Sequence, residues 1–322
     1  MKVLVIRFSS IGDIVLTSPV VRCLKQQVNA EVHYFTKSNF KDVLINNPYI
    51  DKIHYLGEEF NADVQKLKAE NFDYIIDLHH NLRTLRFKNA LKVRSFAFNK
   101  LNFEKWLLVN FKWNRMPDVH IVDRYIACAE SLGIKNDGAG LDYFLSDEDH
   151  VSLESLPSFL QSGYVGLVIG AQHSTKRLPL EKLQEICKKL PAAIMIMGGK
   201  EDAEVANELV KIDESRIFSA CGKFKLNQSA SLVKQAACII SHDTGLMHIA
   251  AAFKKKTFSI WGNTVPEFGM YPYKTEHTNF EVKGLNCRPC SKIGHHECPK
   301  KHFNCMNQQN IDAIVEQVKR AL

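Results

Sequence analysis

The sequence predicts an α/β protein made of two doubly wound domains, and three observations carry that expectation. Short apolar or β-branched runs alternate with helical patterns nearly from end to end, as in parallel sheets covered by helices on both faces. The 322 residues are about twice the length of a typical single domain. The rhythm lapses once, over 145–163, a polar stretch containing Pro157, and then restarts. Domains of 1–155 and 156–322 follow, facing each other across a cleft, and the last helix, 311–322, is within reach of the first domain.

In order, residues 2–8 read as a buried strand and 17–28 as a helix with Pro19 in its first turn. Residues 31–36 are the next strand, 40–46 and 62–70 are helical, and 74–78 form a short apolar strand. The second half repeats the pattern, with strands at 165–169, 193–197, 216–219, 239–241 and 257–261. Helices at 180–190, 203–211, 230–237 and 245–253 lie between them, and 311–322 closes the chain. Ligands of such sheets bind beyond the carboxyl ends of strands, so the informative residues are those that follow each strand.

Composition narrows the function classes. Hydrophobic residues at 45% and charged residues at 24% exclude disorder, collagen-like and coiled-coil classes. No apolar run has the roughly 18 to 20 residues of a spanning helix, and the N-terminus does not read as a secretory signal, so a cytoplasmic location is expected. The net charge of +7 is concentrated between Asn81 and Arg124, where ten Lys or Arg face three acids among seven Phe and Trp. Basic residues interleaved with aromatics suit an anionic membrane surface or a nucleic acid, and no nucleic-acid reader motif is recognisable. Phe103, Trp106, Leu107 and Phe111 recur at helical spacing within it, which equally describes a core helix with a solvated basic flank.

Five of the nine cysteines (Cys23, Cys128, Cys187, Cys221, Cys238) sit singly in apolar contexts as small core residues. Cys287, Cys290, Cys298 and Cys305 cluster near the end. In a reducing compartment such a quartet reads as a structural zinc site or as reduced thiols in a loop, one C-x-x-C being a good zinc half-site and the second half more loosely spaced.

Three strand ends carry candidate chemistry. The first strand runs into Ser9-Ser10-Ile11-Gly12-Asp13, where Gly12 permits a tight turn and the serines permit close approach of a ligand. It is not a dinucleotide fingerprint. Asp13 at a helix start is either a cap or a general base. The strand at 165–169 runs into a loop in which Ser174 and Thr175 offer hydroxyls and Lys176 a point charge, suited to phosphate or simply a solvated basic turn. After the strand at 239–241, Thr244, Gly245 and Leu246 present amides at a helix N-terminus, where a diphosphate gains most. Asp243 caps or orders that loop, and His248 is a structural histidine or a ligand contact. Two phosphate-suited helix starts and a carboxylate suggest group transfer from a nucleotide without metal.

Together, Ser9-Ser10-Ile11-Gly12-Asp13, Thr175-Lys176-Arg177-Leu178-Pro179 and Asp243-Thr244-Gly245-Leu246-Met247-His248 resemble three motifs of glycosyltransferase family 9, the bacterial ADP-heptose:lipopolysaccharide heptosyltransferases. The resemblance implies a GT-B architecture, with the acceptor on the first domain and the nucleotide sugar on the second. It implies an inverting transfer of heptose from ADP-heptose to a lipopolysaccharide core that needs no cofactor, at the inner face of the cytoplasmic membrane. By position, Asp13 is then the base, Lys176 a ligand of the donor phosphates, and Thr244, Gly245 and Leu246 their cradle, with Asp243 and His248 beside them. Asp202, or the adjacent Glu201, takes the ribose, and Phe224 lies against adenine. Arg83, Arg86 and Arg124 belong to the acceptor side, which favours a membrane surface over nucleic acid. Leu178 stands where a bulkier Trp is frequent, which bears on the sugar accepted. Cys287-Arg288-Pro289-Cys290 resembles a segment of some members, a likeness that implies no metal. The rival readings are another nucleotide-sugar transfer or an epimerisation on the same fold, and a nucleotide-sugar-binding protein without turnover.

Overall fold

The computed structural model describes residues 1–322. By its contacts the chain divides into two compact units, Met1–Lys100 with Val119–Phe144, and Leu101–Asp118 with Leu145–Leu322. In chain order the first unit contains β1 (Lys2–Ile6), α1 (Ile11–Val15), α2 (Ser18–Val28), β2 (Glu31–Thr36), β3 (Lys52–Tyr55), α3 (Phe60–Ala69), β4 (Tyr74–Asp77), α4 (Leu82–Leu91) and β5 (Arg94–Ala97). The chain then contributes α5 (Asn102–Phe111) to the second unit and returns with α6 (Ile121–Ala127). The second unit continues with α7 (Ser158–Gln161), β6 (Val165–Val168), α8 (Leu180–Lys189), β7 (Ile194–Met197), α9 (Ala203–Val210), β8 (Ile217–Ser219) and α10 (Leu226–Gln235). It ends with β9 (Cys238–His242), α11 (Gly245–Ala252), β10 (Thr257–Trp261), β11 (His277–Glu281), α12 (Asn304–Asn307) and α13 (Ile311–Lys319).

The first sheet has the order β3-β2-β1-β4-β5 and the second β11-β10-β9-β6-β7-β8, and every pairing is parallel. Strands covered on both faces must be apolar on both, which is why β1 reads KVLVI, β7 IMIM and β10 TFSIW. Leu4, Ile6, Phe35, Ile75 and Phe87 fill one side of the first sheet. Leu167, Ile186, Ile196, Ile240 and Ile260 fill the second, together with Ile311, Ile314 and Val318 of α13. The order of strands reverses between β1 and β4 in one sheet and between β6 and β9 in the other. Open α/β sheets bind ligands at the carboxyl end of such a reversal.

The structure departs from the sequence expectation in definite places. The join lies at 144/145 rather than 155/156 because the polar stretch is already anchored to the second unit. The Val151 amide donates to Ser231 Oγ at 3.1 Å and Asn227 Nδ2 to Asp149 Oδ2 at 3.2 Å. The closing helix belongs to the second unit, where it packs against α8. Residues 40–46 are mostly a 3₁₀ turn, Ser38–Val43. The unanticipated strands β3, β5 and β11 lie at sheet edges, where half-buried, charged sequences such as KIHY and RSFA do not form an apolar run.

Helix α5 overturns the core-helix reading of the aromatic stretch. Its Leu108 packs with Val265 and Phe268 of the second unit, and Lys112 Nζ donates to the Pro289 carbonyl at 2.7 Å. Phe103 (66% exposed), Trp106 (45%), Phe111 (51%) and Trp113 (62%) remain outside. They touch in series, at ring-centroid distances of 6.2, 5.1 and 5.6 Å, as a continuous aromatic ridge. No helix is long and apolar enough to cross a membrane.

Candidate active site

In the first unit, β1 delivers Arg7 and the loop that starts α1. Arg7 is buried and spends its guanidinium on the chain around it: Nε donates to the Ser9 carbonyl (2.7 Å) and Nη1 to the Leu78 carbonyl (2.5 Å) and Tyr125 Oη (3.1 Å). Its Nη2 meets Asp13 Oδ1 at 2.6 Å. Asp13 Oδ2 accepts from the Ser10 amide (3.2 Å) and Ser10 Oγ (2.9 Å), the reciprocal arrangement of a capping box. Asp13 is therefore a cap and one half of an ion pair. Its side chain keeps 23% exposure, so part of the carboxylate stays open to solvent. The sequence reading missed Arg7, although a charged residue closing an apolar strand was the available signal.

Beside this loop, at the β1/β4 reversal, lies a cavity of about 430 Å³ lined by Phe8, Ser9, Lys37, His79, Asn81, Leu82 and Arg83. Of the three arginines expected on the acceptor side only Arg83 reaches it. Arg86 is exposed with its guanidinium 4.6 Å over the Phe60 ring, and Arg124 is buried in α6 and donates to the Asn99 carbonyl at 3.4 Å. Burial first, then the Arg7 charge, pushes His79 down to about 4, so it faces the cavity uncharged at neutral pH.

In the second unit the loops after β6 and β9 meet at the β6/β9 reversal. Lys176 Nζ and Asp243 Oδ2 are 2.6 Å apart, and Thr264 Oγ1 donates to the same oxygen at 3.0 Å. Thr244 is the extended N-cap of α11, so Gly245 and Leu246, both half-buried, begin a first turn whose amides have no intrahelical acceptor. Thr175 behaves otherwise than expected. Its hydroxyl accepts from the His295 amide (2.9 Å) and donates to the His295 carbonyl (3.1 Å), so it staples the loop rather than facing a phosphate. Ser174 stays exposed. His248 is buried in α11, in keeping with a structural role.

His242, unremarked in the sequence, positions the Lys176 loop, since its Nε2 accepts the Leu178 amide at 3.0 Å. Burial, reinforced by the Arg177 charge, pushes it down to about 4 from 6.5. The unfolded chain therefore binds the proton more readily, and the stability that neutral His242 confers is lost as pH falls from about 6.5 to 4. We expect acid melting over that window to flatten in His242→Gln, as measured by Tm against pH.

Asp202 is only 4% exposed at its side chain. It accepts from the Gly199 amide (2.8 Å) and pairs with Arg177 Nη1 (2.9 Å). Burial raises its pKa against the pull of the Gly199 amide and Arg177. A Cβ at Gly170 or Gly198 would fall 2.3 or 2.6 Å from its Oδ2, so glycine at both strand ends is what admits the carboxylate. This is a clamp between the ends of β6 and β7, with little surface left for a ribose. Glu201 is exposed next to it, and Phe224 is half-buried in the turn before α10.

All nine cysteines are free thiols, and of the five expected in the core only Cys128 is less than buried. Cys287, Cys290, Cys298 and Cys305 neighbour one another closely enough that, after burial, their mutual charges push Cys290 up and Cys305 up to about 12. Only His33, His54 and Glu70 bring three potential ligand atoms within 4.8 Å of one another, so the quartet is not drawn into a coordination shell.

Two parallel sheets, each with candidate residues gathered at its strand-order reversal, define a doubly wound α/β architecture, and solved structures identify it as the GT-B fold. The glycosyl transferase family 9 protein of Veillonella parvula superposes with TM-score 0.78 at 20% identity, over 99% of this chain and 96% of its own. The E. coli heptosyltransferase WaaC with ADP-2-deoxy-2-fluoro heptose gives TM-score 0.70 at 19% identity, over the whole of both chains. The lipopolysaccharide heptosyltransferase 1 of Campylobacter coli is 26% identical over 290 residues, 82% of this chain and 84% of its own. The sequence model of glycosyltransferase family 9 (heptosyltransferase) matches residues 62–301, and the chain belongs to that family.

Proposed function

We propose that the protein is an inverting, metal-independent heptosyltransferase that moves heptose from ADP-heptose to a lipopolysaccharide core acceptor. The observation that carries this reading is the Lys176–Asp243 pair beside the α11 N-terminus at the β6/β9 reversal. A diphosphate there gains the amides of the first helical turn and one movable cation, which Asp243 holds in place beforehand. These groups stabilise the negative charge that grows on the leaving ADP as the glycosidic bond breaks. In the first unit, Asp13 accepts the proton of the attacking hydroxyl while Arg7 fixes its carboxylate. Lys37 and Arg83 give the neighbouring cavity a cationic rim suited to a phosphorylated acceptor. For the ribose we assign Glu201 in place of Asp202, with Phe224 against adenine. The solved relative that holds an ADP-heptose analogue supports the choice of donor.

The test is calorimetry with ADP-, UDP- and GDP-sugars, followed by transfer assays with core acceptors. Preference for ADP-heptose with transfer supports the proposal; binding without product from any acceptor, or donor breakdown without acceptor, refutes it. Lys176→Ala is expected to weaken ADP affinity about 10- to 100-fold, the worth of one charged hydrogen bond. We further assign the α5 ridge to peripheral contact with the inner membrane face. Its aromatics suit the interfacial region, and Lys105 and Arg115 suit anionic headgroups. Cosedimentation with phosphatidylglycerol vesicles is expected for the native chain and lost in Phe103→Ala/Trp106→Ala/Phe111→Ala, with fold unchanged by circular dichroism.

A further inference from the structure

A separate cluster lies toward the other end of the first sheet, away from the loops that follow its strands. His33 is third in β2 and His54 third in β3, and because Phe35 pairs with His54 the two imidazoles project from one side of the sheet. Glu70, the C-cap of α3, completes a triangle: His33 Nδ1 to His54 Nε2 is 3.0 Å, His33 Nδ1 to Glu70 Oε2 is 3.8 Å and His54 Nε2 to Glu70 Oε1 is 3.9 Å. Zinc–nitrogen bonds of about 2.0–2.1 Å in a tetrahedron place ligand atoms about 3.3 Å apart. The two ring nitrogens and the carboxylate, whose two oxygens face one nitrogen each, are thus close to coordinating separations, one ligand atom from each residue lying within 4.8 Å of the other two.

The surroundings favour the same occupant. His33 Nε2 is 3.0 Å from Glu31 Oε1, and since a carboxylate only accepts, Nε2 carries the ring proton. In the neutral imidazole Nδ1 is then the lone-pair nitrogen, and it is the one turned toward His54 and Glu70. A carboxylate on the remote nitrogen is the usual outer partner of a metal-bound histidine. His33 is buried, and Phe72 packs edge-on against its ring with centroids 5.2 Å apart. Lys52 Nζ contacts Glu70, and Lys2 Nζ lies 3.6 Å from Glu70 and 3.1 Å from Glu31, so two mobile ammonium groups supply the positive charge at this point.

We propose that His33 Nδ1, His54 Nε2 and the Glu70 carboxylate bind one divalent cation of the zinc type, with water as the fourth ligand. On binding, Lys52 swings out from Glu70, and the proton that His54 Nε2 donates to His33 moves to the other nitrogen of the His54 ring. The ion pins edge strand β3 and the end of α3 to β2. It lies apart from the residues assigned to transfer, so the two proposals stand or fall separately.

The experiment titrates Zn²⁺, and in parallel Co²⁺ by visible absorption, into the full chain carrying Cys287→Ser/Cys290→Ser/Cys298→Ser, which removes the three accessible thiols of the cysteine quartet and leaves the buried Cys305. One equivalent bound with a thermal upshift is expected. His54→Ala and Glu70→Gln abolish it, and Glu31→Gln weakens it by about 10- to 100-fold. Lys52→Met, which removes a competing cation, tightens it, a gain that misfolding cannot imitate. Absence of stoichiometric binding overturns the site, as does binding indifferent to both Glu31→Gln and Lys52→Met, and the cluster is then a metal-free polar network.

Discussion

Asp13→Asn is expected to lower the turnover of heptosyl transfer by about 10²- to 10⁴-fold while nucleotide-sugar affinity is unchanged. Asn still caps α1 through Ser10, so the loop keeps its shape, but it cannot take a proton from an attacking hydroxyl. The variant also leaves the buried Arg7 without its countercharge, which lowers Tm and separates the two roles of the side chain. Loss of Tm with full turnover would make Asp13 a partner of Arg7 and nothing more. Single-turnover rates with saturating donor, alongside calorimetric donor affinity and a melting curve, distinguish these outcomes.

Asp202→Ala is expected to destabilise the second unit by about 3 kcal/mol, because Arg177 and the Gly199 amide lose a buried acceptor together. In a unit of this size that is a fall in Tm of about 6–12 °C. Glu201→Ala, one residue away and exposed, leaves Tm in place and weakens ADP affinity. If instead Asp202→Ala kept its Tm and lost ADP binding, the clamp would be a ribose site and the assignment of Glu201 would fail. Differential scanning fluorimetry with and without ADP reads both quantities in one plate.

The strand–helix alternation was legible because doubly buried parallel strands have to be apolar throughout, and β1, β6 and β7 could be located from that alone. Edge strands escaped because one open side removes the constraint, leaving β3 with Lys52 and His54. The strand-end motifs were legible for a related reason: backbone that must approach a ligand leaves small residues and caps in a fixed order. What could not be read was how each polar group is spent. Thr175 and Asp202 have the chemistry of ligand contacts, and only their partners, His295, Arg177 and the Gly199 amide, show them to be fasteners. Conversely, Arg7 shows in the sequence only as a charge closing an apolar strand, with no sign that it braces Asp13 in the next turn, and His242 gives no hint that it holds the Leu178 amide, distant in the chain.

The detour of 101–118 bears on how the protein can be divided. A fragment starting at residue 145 would lack Leu108, and the apolar side chains of Val265 and Phe268 that it covers would be left to water. Such a truncation invites self-association, whereas restoring the missing helix as a grafted N-terminal extension should keep the piece monodisperse.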